Sequence, residues 1–328
     1  MNILVAGGAG YIGSHLVKEL QNVADKLVVL DDLSTGHRDS IGNIELVIGS
    51  SGNKALVTNI LRTNNIDAVF YFAAHSLVGE SMSNPGKYLR NNISFAIEFL
   101  ESMVECGVRY MVFSSSAAVY GEPAFYPITE EHPTVPTNVY GATKLIFEEM
   151  LDWYDRIYGL KYVSLRYFNA AGADQSGQIG EDHKPETHLI PLVVKACMGL
   201  SEKIIIYGND YPTKDGTCVR DYIHVSDLAR AHILALKYII ASDQSKIYNL
   251  GNGTGYSVND VIASTIKITG KKPKIEVAPR RPGDPAVLVA SSKKIANELG
   301  WNPEYIKLED IIYSAWNWHK NNPSGFQQ

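Results

Sequence analysis

Cysteine is nearly missing from this sequence: Cys106, Cys197 and Cys218 are the only three in 328 residues. They lie far apart without Cys-x-x-Cys spacing, which excludes a disulfide framework and points to reduced thiols. No apolar run reaches the ~18 residues that a membrane span needs. Long Lys/Arg runs are absent too, and 30 basic against 35 acidic groups leave a net charge of -5. Such a chain offers no electrostatic footprint for nucleic-acid phosphates or an anionic membrane. Met1-Asn2 leads straight into ILVAGGAG without a signal-peptide pattern, so a soluble, cytoplasmic protein is expected. Internal repeats and low-complexity linkers are lacking. With 45% hydrophobic and 20% charged residues, disorder is excluded and one large core or two domains can form. Small-molecule chemistry is the default function class.

What is present is an alternation of apolar runs and amphipathic stretches. Strand-length runs stand at 3–7, 27–31, 45–49, 68–74, 110–116 and 162–168. Between them, 12–21, 88–106 and 140–157 carry apolar residues at three- and four-residue spacing. Continuous apolar strands separated by helices predict a parallel α/β sheet, and right-handed crossovers make it doubly wound. After Phe168 the rhythm breaks into about twenty residues, NAAGADQSGQIGEDHKPETH, rich in Gly, Asp and Gln. A stretch of that kind is expected to be a lid or binding loop. Further on, a short strand leads through an Asp227 N-cap region into a helix, and 247–251 reads as another strand. A second, smaller domain is therefore interleaved with the first.

GGAGYIG (7–13) follows the first strand and opens a helix, the context that makes a glycine fingerprint specific. Gly7 permits the tight turn, Gly10 lets backbone approach a pyrophosphate, and Gly13 allows close helix-on-strand packing. The diphosphate would sit on free N–H groups at the helix N-terminus. Asp31, about twenty residues on at the end of the second strand, can accept from both adenosine ribose hydroxyls and would repel a 2′-phosphate. NAD is favoured over NADP, with Arg38 and His37 nearby as the opposing signal.

Tyr140 and Lys144 form a Tyr-x-x-x-Lys pair that projects from one helical face. A phenol with a pKa of ~10 needs adjacent positive charge to act as a base at neutral pH, and Lys144 with an oxidised nicotinamide would supply it. Ser116, ending its strand at the carboxyl edge of the sheet, could hydrogen-bond the reacting hydroxyl. Tyr-x-x-x-Lys alone is weak, since both residues are common on helices; the glycine fingerprint and the serine strand give it weight.

GGAGYIGSH, FAAHSLVGES, FSSSAAVYG, YGATK, LRYFNAAGA, GNDYPTKDGTCVRDYIHV and APRRPGD together resemble the UDP-glucose (UDP-galactose) 4-epimerases of the extended short-chain dehydrogenase/reductase family, nearly end to end. The resemblance implies a Rossmann NAD-binding domain at 1–168 plus about 218–250, and a UDP-sugar-binding domain at 169–217 and 251–328. It implies that Tyr140 takes the sugar 4-OH proton, Lys144 binds nicotinamide ribose, and Ser116 shares the proton network. Tyr11, Ile12, Phe72, Ala73, Ala74 and Asn91 would line the cofactor, with Tyr167 near the nicotinamide. Asn169, His188, Leu189, Tyr207, Arg220, Arg281 and Asp284 would hold the UDP-sugar, the arginines as diphosphate clamps. A homodimer through helices 88–106 and 140–157 is implied; no metal is.

Several positions depart from that pattern. Ser50 stands where an adenine-contacting Asp is frequent, Ser76 where Lys is, His188 where Asn is, and Cys218 where Gly is. Cys218 reads as a small apolar residue rather than a nucleophile. At Leu288, a gatekeeper intermediate between a large tyrosine and a small residue leaves open whether N-acetylated UDP-sugars are accepted. Two rivals stand beside 4-epimerisation. A nucleotide-sugar 4,6-dehydratase needs an acid pair after the catalytic Ser, where this chain has Ala117-Ala118. A non-catalytic NAD-sensing protein could dispense with the Tyr/Lys pair.

Overall fold

Alternating side chains on buried strands build two cores at once. The computed structural model describes residues 1–281 and 284–326; Pro282 and Gly283 of the APRRPGD motif lie outside them. Six strands come first: β1 (Asn2–Ala6), β2 (Lys26–Asp31), β3 (Glu45–Ile48), β4 (Ala68–Tyr71), β5 (Tyr110–Ser116) and β6 (Lys161–Tyr167). Short β7 (Asn169–Ala171), β8 (Ile204–Tyr207) and β9 (Val219–His224) precede β10 (Lys246–Leu250). An all-parallel seven-stranded sheet runs β10-β6-β5-β4-β1-β2-β3. The doubly wound α/β expectation holds.

The first eight helices are α1 (Tyr11–Leu20), α2 (Lys54–Thr63), α3 (Val78–Ser83), α4 (Pro85–Leu89), α5 (Phe95–Cys106), α6 (Val139–Tyr158), α7 (Leu189–Cys197) and α8 (Val225–Ser242). Of these, α1 and α8 cover one face of the sheet and α2, α5 and α6 the other, whereas α7 packs in the second unit. On β1, Ile3 and Val5 join Leu16 of α1 and Leu228 of α8, while Leu4 and Ala6 face Val57 of α2, Phe99 of α5 and Phe147 of α6. Period-2 geometry on a doubly covered sheet produces this division. Each such buried Val, Leu, Ile or Phe side chain stabilises the fold by ~1.5–3 kcal/mol.

The remaining elements are β11 (Gly255–Ser257), α9 (Val258–Thr269), β12 (Ile275–Ala278), β13 (Val287–Leu288), α10 (Lys293–Leu299) and α11 (Leu308–Asn321). Around β9 gather β7 and β13 in parallel and β11 antiparallel, while β8 pairs with β12. Thus β9 belongs to the second sheet, although α8 and β10 after it return to the first. No described helix is long and apolar enough to cross a membrane.

Three local expectations are corrected. The run 68–74 leaves its strand after Tyr71, because Phe72–Ala74 bend into the cleft. The expected helix 88–106 is α4 and α5 joined by a π-helical turn at Arg90–Ser94. The cap of α8 is His224, whose side chain accepts from Ser226 N. Asp227 sits in the first turn instead, buried, accepting from Glu304 N at 2.9 Å and Tyr305 N at 3.0 Å.

One ion pair is sealed inside this frame. Arg166 of β6 meets Glu148 of α6 at 2.5 Å, and Ser115 Oγ donates to the same carboxylate at 2.5 Å. Arg166 also donates to the Tyr120 hydroxyl, which donates to Asn249 Oδ1. A buried pair contributes little net stability, but breaking it strands a charge. Glu148→Leu should therefore lower unfolding stability by about 3–5 kcal/mol in urea titrations. The double change Glu148→Leu with Arg166→Met should recover most of that loss.

Candidate active site

The strand order reverses between β1 and β4, and the crevice at their carboxyl ends is where open α/β sheets bind ligands. The glycine turn fills this crevice by close backbone approach. At Gly7 (φ +77) a Cβ would lie 2.6 Å from Ala73 N, and at Gly13 it would lie 2.3 Å from Gly7 O. Gly10 is different. Its φ of -74 suits any residue, and an added Cβ would meet only Gly7 O at 3.4 Å. Glycine there leaves backbone bare toward the cavity.

Helix α1 starts without a side-chain cap and without an acidic residue in its first turn. Its leading N–H groups are thus free for an anion. Asp31 lines the same cavity, with one carboxylate oxygen accepting from Ala9 N and the other from Leu33 N, each at 2.9 Å. Burial raises its pKa while those N–H groups oppose the rise. Enough lone pairs remain to accept from a ribose diol. Bare backbone at Gly10, open helix N–H groups and a buried carboxylate fit a dinucleotide.

The cavity measures about 1020 Å³. Of the predicted dinucleotide residues, Gly7, Gly10, Tyr11, Ile12, Gly13, Asp31, Phe72, Ala73, Ala74, Asn91, Tyr140, Lys144 and Tyr167 line it. Ser50 does not: its hydroxyl accepts from Gly52 N, and Gly49 and Ser51 provide the wall instead. Of the predicted substrate residues, Ser116, Asn169, His188, Arg220, Arg281, Asp284 and Leu288 line it. Leu189 packs at the start of α7 with the apolar clusters behind the wall. Tyr207 stands one layer back, its ring under the Arg281 guanidinium at 3.9 Å.

Tyr140 and Lys144 come from the first turns of α6, whose N-cap Asn138 accepts from Gly141 N at 2.8 Å. Lys144 Nζ donates to Ser114 O at 2.7 Å and lies 5.7 Å from the Tyr140 ring centroid. Burial pushes the Tyr140 phenol above its ordinary pKa, and a hydrogen bond with Ser116 pulls it back. Burial also brings Lys144 down to about 7, against the attraction of Glu148. The amine thus titrates near neutrality while the phenol stays above its ordinary value, and further positive charge beside it would be needed to favour the phenolate. Arg220 donates to Asp284 across the opposite wall. Arg280, by contrast, pairs with Asp210 at 2.7 Å on the exterior. Cys218 is buried, its thiol pKa raised by desolvation, and it does not line the cavity.

Other site groups escaped the sequence reading. Asn92 and Asn91 both accept from His75 N, at 2.9 and 3.1 Å, because the π turn presents both amides to one loop. Ser81 Oγ accepts from Tyr140 N at 3.2 Å. Glu181 and Glu186 converge on His188, and although burial opposes its charge they hold its pKa up at about 10. The carboxylates stood in plain view in GEDHKPETH, but their convergence needs the folded loop.

A glycine-turned crevice beside a Tyr/Lys pair defines a dinucleotide-dependent short-chain oxidoreductase scaffold. Residues 3–251 match the NAD dependent epimerase/dehydratase family, and the chain belongs to it. It is 51% identical over 326 residues to a UDP-glucose 4-epimerase of Halalkalibacterium halodurans, across 99% of this chain and 98% of that protein. A crystal structure of a UDP-glucose 4-epimerase matches with a TM-score of 0.97 and 50% identity over 100% of both chains. The UDP-glucose 4-epimerase of Bifidobacterium longum, crystallised with NAD+ and UDP, matches at TM-score 0.93 and 39% identity, covering 99% of this chain and 100% of that one.

Lys144 gives the site a pH signature. Its amine protonates near the ordinary 10.5 when unfolded but near 7 when folded. Between those values the unfolded chain binds more protons, so its contribution to stability rises with pH. In dinucleotide-free protein, Lys144→Met should abolish this part of the gain between pH 7 and 10, read as the difference in urea midpoints.

Proposed function

We propose that this protein interconverts UDP-glucose and UDP-galactose by inverting sugar C4 through a transient 4-keto sugar. The observation that carries this reading is that Ser116, Tyr140 and Lys144 face the same cavity as Gly10 and Asp31. NAD, when bound, supplies reversible oxidation and reduction at C4. Tyr140 takes the 4-OH proton and returns it, Ser116 hydrogen-bonds that oxygen, and Lys144 stabilises the phenolate. Arg220 and Arg281 hold the diphosphate, a task for which guanidinium forks are suited. Their grip matters because the keto sugar must turn over and present its other face without leaving.

The division of labour follows the sheets. Residues 1–168 with α8 and β10 hold the dinucleotide; 169–217 and 251–328 hold the UDP-sugar, with β9 counted on the substrate side because Arg220 lies on it. Dehydration is disfavoured by the turn after Ser116, where Ala117 and Ala118 can neither donate nor accept the needed proton. None of the three cysteines lines the cavity, which disfavours net oxidation through a thiohemiacetal.

The protein acts as a cytoplasmic homodimer in this reading. Ile97 on α5 and Ile146, Trp153 and Ile157 on α6 are exposed apolar side chains, Trp153 at 59% and Ile157 at 64%. Two copies related by a two-fold axis would cover them.

Two experiments test the proposal. With UDP-galactose as substrate and products read by NMR, wild type should form UDP-glucose without accumulating NADH. Tyr140→Phe should lower kcat about 100- to 10,000-fold. Unchanged turnover in that variant, or stoichiometric NADH, would sink the mechanism. A parallel incubation with UDP-N-acetylgalactosamine reads the room left beside Leu288. Light scattering on Trp153→Glu should give a monomer where wild type gives a dimer; a dimeric variant places the interface elsewhere.

A further inference from the structure

Four potential ligand atoms converge at the end of the long loop, on a stretch with the spacing Glu-x-His-x-x-Glu-x-His. Glu181, His183, Glu186 and His188 place one ligand atom each within 4.8 Å of all the others. The Nδ1 atoms of His183 and His188 lie 3.1 and 2.5 Å from Glu181 Oε1, and 3.9 and 3.5 Å from Glu186 Oε1. Tetrahedral zinc with bonds of about 2.0–2.1 Å sets its ligand atoms about 3.3 Å apart, inside this range. His183 and His188 stand in an H-x₄-H arrangement, within the spacing that zinc sites use.

A second observation points to a missing cation. The Glu186 side chain is only 6% exposed. Its Oε1 accepts from Thr187 N at 2.8 Å and His188 N at 2.9 Å, whereas its Oε2 is buried without a hydrogen-bond partner, with Lys195 Nζ 3.9 Å away. Protons on the two imidazoles would account for their contacts with Glu181, yet they leave this oxygen unsatisfied. A buried carboxylate oxygen without a donor is costly. A divalent ion reached by both carboxylates and both imidazoles removes that cost, displacing the imidazole Nδ1 protons as it binds.

We propose that Glu181, His183, Glu186 and His188 bind one divalent zinc ion with nitrogen and oxygen ligands only. The ion is structural: it ties the 172–188 loop to the start of α7, where His183, Thr187 and His188 form part of the cavity wall. Ligation through Nδ1 also fixes the remaining proton of His188 on Nε2. The site does not depend on which sugar nucleotide the cleft accepts.

The test uses the full chain carrying its bound dinucleotide, stripped with a chelator and titrated with zinc alone by calorimetry. One zinc per chain is expected, and His183→Ala and Glu186→Gln should each weaken binding at least about 100-fold. Circular dichroism establishes that the variants fold. Cobalt substituted into the wild type should give the visible bands of a tetrahedral nitrogen and oxygen site, without a thiolate charge-transfer band. Failure of the wild type to bind zinc stoichiometrically, unaltered affinity in both folded variants, or a thiolate band would overturn the proposal.

Discussion

The site depends on one close contact between two backbones. Gly141 of α6 packs so tightly on the turn after β5 that an added Cβ would lie 2.3 Å from Ala118 O. That approach seats Tyr140 and Lys144 over Ser116, whose hydroxyl accepts from Ala118 N at 3.1 Å and so fixes the same turn. The glycine between the two functional side chains is therefore part of the chemistry, although it contributes no reactive atom. A side chain at that position would lift the helix away from the serine strand and separate the phenol from its partners.

Electrostatics then follow from what surrounds the pair. Lys144 is buried on α6 one turn before Glu148, which could have supported its charge. Glu148, however, is engaged by Arg166 and Ser115. Glu148 still attracts the ammonium, but desolvation outweighs that attraction at Lys144 and the amine falls to about 7. The ion pair welds helix to sheet, and the attraction of Glu148 offsets only part of the cost of burying Lys144. The protein has built an amine that changes protonation easily beside a phenol held in reserve.

The local parts of this arrangement were legible because their signals are short in sequence. Gly7, Gly10 and Gly13 sit within one turn, and the Tyr140/Lys144 pair needs only helical periodicity. Around Ser50 the sequence gives less: β3 ends at Ile48, and after the bend at Gly49 the folded chain puts Gly49 and Ser51 on the cavity wall while the Ser50 hydroxyl accepts from Gly52 N. Leu189 and Tyr207 lie in segments the resemblance points to the ligand, with the Leu189 side chain packed among apolar residues and the Tyr207 ring under Arg281. Resemblance locates a segment well, but which face of the segment is wet depends on packing from distant elements. Glu181 and Glu186 show the same limit, since their meeting with His183 and His188 is set by a loop without periodicity.

The π turn at Arg90–Ser94 has a consequence for how its helix can be shared. An extra residue per turn advances the phase by about 100°. Tyr88 and Asn91 before and within it address the cleft loops, while Phe99, Leu100 and Met103 beyond it address the sheet core. A straight helical wheel drawn through the whole rod would misplace one of these groups. One continuous rod thereby serves two surfaces that are not on the same side, and the inserted residue is the coupling that allows each half to keep its own orientation.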